Sequence, residues 1–160
     1  MKPPPFIPEH IENEGKYIRN TSDKLIWHQC RMRTLYADTD RSQVVYHGNY
    51  LRYFEFGRTS LMRDAAYPYL EVENSGFLYP VIEIGIQYYC PLKYDDQVCI
   101  HTRPAKLERV KIRFDYIITL NNTYEIVCIG FTKHCAINTK GMPVAIDKKT
   151  LHLWDAFPNE

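Results

Sequence analysis

A single change of period constrains this chain more than any other feature. Residues 48–66 carry helical spacing, and most of the chain after residue 79 carries the spacing of strands. Tyr50, Phe54, Gly57, Leu61 and Ala65 recur at steps of four, three, four and four, which puts them on one helical stripe. A glycine inside a helix costs about 1 kcal/mol relative to alanine. Gly57 on the apolar stripe therefore predicts a surface, expected to be a sheet, that approaches the helix backbone closely. Arg52, Glu55 and Arg58 lie at spacing three on another face and read as a solvated or interfacial salt-bridge face.

The strands frame this helix. Residues 25–36 alternate with period two, with Ile26, His28, Cys30, Met32, Thr34 and Tyr36 on one side. Four strand-like stretches, 79–89, 97–107, 110–120 and 124–137, come after the helix and are joined mostly by short turns, with Asn121-Asn122 predicting a hairpin. Pro68 marks a loop after the helix. A short closing strand is expected at 142–146, and a short helix from Lys148. The sum is an α+β arrangement, an antiparallel sheet of about five strands with one long central helix packed on it. One helix cannot cover both faces of a sheet, so a second copy of the chain is the simplest cover.

Ahead of this body, residues 1–24 read as an arm. Pro3, Pro4, Pro5 and Pro8 favour an extended, unpaired path, mobile or draped over a folded domain of residues 25–157. At 160 residues the chain is about one domain. Twenty basic and 19 acidic residues leave a net charge of +1, which argues against nucleic acid and against a polybasic membrane anchor. No apolar run approaches the ~18 residues of a membrane-spanning helix, and the start has no stretch suited to a signal peptide. Five cysteines, an odd number without a C-x-x-C, point to reduced thiols and a cytoplasmic protein.

The segment from Tyr36 to Arg58 carries the chemistry. Two acids, Asp38 and Asp40, precede the helix, and His47 stands where it begins. The first N–H groups of a helix have no internal partner and carry partial positive charge. They suit an oxygen on which negative charge develops, while a carboxylate just upstream can serve as base or nucleophile. The same residues read equally as turn and cap formers. A divalent cation on Asp38 and Asp40 would find few further oxygen ligands nearby, and no metal is expected. His134 and Cys135 are adjacent, so on a strand they face opposite ways and do not form a nucleophile pair.

This segment resembles the signature of the hotdog-fold acyl-CoA thioesterases. It is nearest to the 4-hydroxybenzoyl-CoA thioesterase-like group, which includes the bacterial Tol-Pal-associated thioesterases. The shared elements are Asp38-Thr39-Asp40, Val44-Val45-Tyr46-His47, Asn49-Tyr50-Leu51-Arg52-Tyr53-Phe54-Glu55 and Arg58, and weaker similarity extends over residues 25–147. The resemblance implies a hotdog fold, a sheet wrapped around the central helix, assembled as a homodimer or a tetramer of dimers with active sites at the subunit interface. It implies acyl-CoA thioester hydrolysis without a cofactor, coenzyme A being part of the substrate. Asp40 would be the catalytic carboxylate, as base or nucleophile. The His47 N–H would bind the thioester oxygen, with the His47 side chain also in the site. Tyr46, Asn49 and Tyr50 would flank the acyl pocket. Arg41-Ser42-Gln43 departs from the family, which has small residues there, and bears on acyl specificity. For the phosphates of coenzyme A, Lys106, Arg109, Lys111 and Arg113 are candidates, with Arg109, Lys111 and Arg113 alternating along one strand; a solvated strand face is the alternative. The rival functions are hydrolysis of an acyl-carrier-protein thioester and binding of acyl-CoA without turnover.

Overall fold

The structure, a computed structural model, describes residues 2–11 and 15–159. A 3-10 turn at His47–Asn49 runs directly into α1, Tyr50–Asp64. The helix buries Tyr50, Tyr53, Phe54, Gly57, Leu61 and Met62. Gly57 sits as its place in the stripe predicts: a Cβ there would lie 2.5 Å from Thr102 Oγ1 and 2.6 Å from Ile100 Cγ2 on the sheet. One turn earlier, the Phe54 ring stacks on Tyr116 at 4.3 Å and fills the space that Gly130 leaves open.

Among the described residues the sheet has seven strands, all pairs antiparallel, in the order β1-β2-β3-β5-β6-β7-β4. Five of them, β3 (Leu25–Arg33), β4 (Val81–Tyr88), β5 (Gln97–Leu107), β6 (Lys111–Leu120) and β7 (Ile126–Cys135), match the expected strands. The other two come from the predicted arm: β1 (Pro8–His10) pairs with β2 (Tyr17–Asn20), and β2 pairs with β3. The prolines do not prevent this, because Pro8 lies on the outermost strand, where a missing N–H need not break the ladder. Of the predicted arm, residues 1 and 12–14 lie outside the described residues.

Phe6 then turns onto the sheet face away from α1. It is buried with Ile18, Trp27, Ile117 and Ile126 and stacks on His101 at 4.0 Å. Part of the face expected to need a second copy is thus covered by the chain's own first residues. The edge opposite β1 is β4, where Val81, Ile82, Ile84 and Tyr88 are exposed.

Three further differences have local causes. The closing strand at 142–146 does not form; only Ile137 bridges Pro143, which has no N–H to continue a ladder. A short helix, α2 (Tyr69–Asn74), stands after Pro68 where a loop was expected. The expected C-terminal helix is α3, Lys148–Ala156. Its cap, Asp147, accepts from the Thr150 amide (3.1 Å) and from the hydroxyls of Thr150 (2.7 Å), Tyr67 (2.8 Å) and Tyr79 (2.6 Å). All five cysteines are free thiols. Among the described residues, no helix is long and apolar enough to cross a membrane.

Candidate active site

The two acids ahead of α1 occupy opposite environments. Asp38 closes a 3-10 turn, Tyr36–Asp38, and is only 1% exposed. Its carboxylate accepts from the Leu35 amide at 2.9 Å and the Tyr53 hydroxyl at 2.8 Å, and it pairs with the Arg52 guanidinium. Its backbone carbonyl accepts from the Tyr46 amide (2.9 Å) and the Asn49 side-chain amide (2.8 Å). Burial works to raise the Asp38 pKa. The Leu35 amide, the Tyr53 hydroxyl and the Arg52 charge outweigh it and hold the carboxyl below its ordinary value. Asp38 is therefore the knot that ties the end of β3 to the first turn of α1.

Asp40 lies two residues on and is exposed. One carboxylate oxygen accepts from the Ser42 amide at 2.8 Å. The loop is closed beneath it by bonds from the Asp40 amide to the Val44 carbonyl (2.9 Å) and from the Gln43 amide to the Asp40 carbonyl (3.0 Å). Gln43 takes φ 62°, the left-handed conformation that lets so tight a loop turn back. Arg41, Ser42 and Gln43, the departure from the family pattern, are all exposed at its tip.

His47 opens the helical path. Among the described residues, no acceptor takes the N–H of His47 or of Gly48, while the Asn49 N–H already bonds the Tyr46 carbonyl at 2.9 Å. The His47 carbonyl is held from behind by the Tyr88 hydroxyl at 2.7 Å. The His47 ring is exposed and lies 4.3 Å from the ring of Tyr46, itself 47% exposed. Tyr50, by contrast, is buried, with its ring edge-on to Tyr53 and Tyr88; burial pushes its hydroxyl up to about 12. Asp40, Tyr46 and His47 are thus each exposed, while Asn49 and Tyr50 reach inward and hold the start of the helix.

Sequence reasoning placed Arg52 in a ladder with Glu55 and Arg58, but Arg52 turns to Asp38 instead. Tyr53, whose ring in the motif suits an aryl or medium acyl pocket, sends its hydroxyl to Asp38 instead. Tyr88 carries no mark in the sequence, because nothing local ties it, 41 residues away, to His47.

The expected phosphate site is redrawn. Arg109 precedes β6, so it does not share a strand face with Lys111 and Arg113. Lys106, Arg113 and Lys133 instead stand in register across β5, β6 and β7, followed by Glu83 on β4. Lys111 and these four border one surface cavity of about 170 Å3. Acids accompany the row: Glu108 at 3.2 Å from Lys106, Asp115 at 2.7 Å from Arg113 and Glu83 at 2.7 Å from Lys133. Lys133 escaped notice because its register with Arg113 is a tertiary fact. No group of three or more candidate metal ligands occurs among the described residues. His134 is buried with both ring nitrogens engaged, to Thr132 Oγ1 (2.8 Å) and the Tyr79 carbonyl (2.9 Å), and its pKa is lowered to about 4 by burial.

Comparison with known proteins adds four findings. A family profile described as the thioesterase-like superfamily matches residues 34–153. Among individual relatives, the Bacillus subtilis protein YneP is 32% identical over 124 residues, 78% of this chain and 85% of that protein. YbgC of Escherichia coli O157:H7, named an acyl-CoA thioester hydrolase, is 27% identical over 73% of this chain and 87% of its own length. A crystal structure of a DHNA-CoA thioesterase from Staphylococcus aureus superposes with a TM-score of 0.75 at 25% identity, covering 82% of this chain and 88% of that one.

Proposed function

The chain belongs to the thioesterase-like superfamily, and from that premise we propose that it hydrolyses acyl-CoA thioesters to the free acid and coenzyme A. Asp40 acts on the thioester carbon as general base or nucleophile. As base it takes a proton from water, the resulting hydroxide adds to the carbonyl carbon, and the carbonyl oxygen becomes an oxyanion. The N–H of His47, with that of Gly48 beside it, receives this oxyanion. The C–S bond then breaks, and the thiolate of coenzyme A leaves. The observation that carries this reading is the pair of N–H groups at His47 and Gly48 that no acceptor takes among the described residues, with an exposed carboxylate on a tied loop seven residues before His47. The exposed His47 and Tyr46 rings offer the acyl group its first contact.

Two further assignments rest on the same reading. The cation row of Lys106, Lys111, Arg113 and Lys133 takes the coenzyme A phosphates, with Lys133 in the place first expected of Arg109. The exposed apolar residues of the β4 edge support a homodimer, or a tetramer of dimers, as the working assembly.

The test is Asp40→Asn against a panel of acyl-CoAs with detection of the released thiol. Turnover falls by about 10²–10⁴-fold, the effect of losing a general base. Undiminished turnover in the folded variant overturns the mechanism. Tight acyl-CoA binding by the natural protein with no thiol release marks a binding protein instead. Turnover of carrier-protein thioesters that free coenzyme A does not inhibit marks the third alternative.

A further inference from the structure

A second cavity lies along the later half of α1, and its walls are lined by donors that lack acceptors. It measures about 90 Å3 and is lined by Arg58 and Met62 of α1, Ile112 and Phe114 of β6, and Leu153 and Trp154 of α3. None of Asp40, Tyr46 or His47 borders it. From His47 to Arg58 the helical path advances about 16 Å, so within one chain this cavity is remote from the proposed chemistry.

Its polar groups divide cleanly. Tyr79 and Thr150 donate their hydroxyls to Asp147 (2.6 and 2.7 Å), and Thr59 donates to the Glu55 carbonyl (2.8 Å). His134 has no capacity left. The Tyr79 carbonyl can only accept, so His134 Nδ1 carries the proton and Nε2 accepts from Thr132. Thr132 Oγ1 must then accept from Tyr116 (2.7 Å). This one-way chain leaves the His134 side of the cavity without a free donor, while Arg58 lines the same cavity with a guanidinium of five N–H donors.

Three donors lining the cavity remain unused. Arg58 has no carboxylate partner among the described residues. The Trp154 indole N–H is buried without an acceptor. The Tyr69 hydroxyl accepts from the Tyr79 amide at 3.1 Å and keeps its own proton to give. Glu55 lines the same cavity but is exposed, with no ion pair to Arg58. Donors without acceptors above an apolar floor call for an anionic acceptor on a short apolar body. A cavity of about 150 Å3 accommodates benzene, and a water molecule occupies about 30 Å3. The space here suits a carboxylate of a few carbons.

We propose that this cavity is a binding site for a small aliphatic carboxylate, held by Arg58 with the Trp154 N–H and the Tyr69 hydroxyl. The test is calorimetric titration of the full chain with butanoate and with butanamide, its uncharged isostere. Butanoate binds saturably, and butanamide binds at least tenfold more weakly, as loss of a charge-assisted bond requires. Arg58→Gln weakens butanoate at least tenfold and Arg58→Lys recovers part of that loss. Trp154→Phe weakens it a few-fold, and Asp40→Asn leaves it unchanged. Glu55→Gln tightens it by removing a competing acceptor at the rim. Equal affinity for the acid and the amide overturns the proposal, and that comparison needs no variant. Loss of butanoate binding in Asp40→Asn with retention in Arg58→Gln also overturns it, because the ligand then sits at the loop before α1. Binding is read without turnover, so its failure is distinct from failure of the hydrolytic reading.

Discussion

Asp38 and Asp40 stand two residues apart in one motif and do opposite work. Asp38 is saturated: an amide, a hydroxyl and a guanidinium meet its carboxylate, and two more donors meet its carbonyl. Asp40 is open, its carboxylate held, among the described residues, only by the Ser42 amide. A buried carboxylate with both oxygens engaged is a fastener, since any movement exposes or orphans a donor. An exposed one on a loop fastened in this way is free to meet a substrate yet limited in where it can go. The same division recurs along the helix start: Asn49 and Tyr50 hold the frame, while Tyr46 and His47 face outward.

The largest effect that tests this division is catalytic. Asp40→Asn lowers kcat/KM by about 10²–10⁴-fold, while its urea midpoint stays that of the natural protein, because an asparagine oxygen can still accept from Ser42. A large loss of stability in this variant breaks the comparison.

Asp38→Asn destabilises by about 3 kcal/mol in urea titration, because it sets an amide donor among donors and leaves one unmet. A midpoint equal to that of the natural protein would make Asp38 no fastener. The pH dependence sharpens the point. The Asp38 carboxyl is held below its ordinary value, so its contribution is complete above about pH 4 and is lost as the pH falls through the depressed value. Stability of Asp38→Asn is therefore flatter in acid than that of the natural protein.

Tyr53→Phe removes one of the donors to Asp38 and costs about 1–2 kcal/mol. Arg52→Gln has the smallest effect, at most about 1 kcal/mol, because the Arg52 side chain is 58% exposed and water already screens its charge. If Arg52→Gln costs more than Tyr53→Phe, the pair rather than the hydroxyl is the main tie.

Much of this architecture was legible in the chain itself. Period two over 25–36 and after 79 marked five of the seven strands, and the Tyr50–Leu61 stripe with Gly57 marked both the helix and its close approach to the sheet. β1 and β2 were hidden because the prolines around them read as breakers, and an edge strand tolerates what a central one does not. Within the site, Asp40 and His47 carried a visible motif, but the partition between Asp38 and Asp40 did not. It depends on Tyr53 and Arg52 reaching back from α1 and on Tyr88 reaching across from β4.

Periodicity and local chemistry by themselves determined that this chain folds as strands around one helix and that an acid-bearing loop leads into that helix. They suffice because alternation and helical stripes are set by backbone geometry, residue by residue. Only the tertiary structure decided which acid is buried, that Phe6 covers the far face of the sheet, that Lys133 replaces Arg109 beside Arg113, and that Arg58 and Trp154 border one cavity. Those outcomes depend on hydrogen-bond saturation and strand register between residues distant in sequence, and no local pattern encodes which donor will find which acceptor.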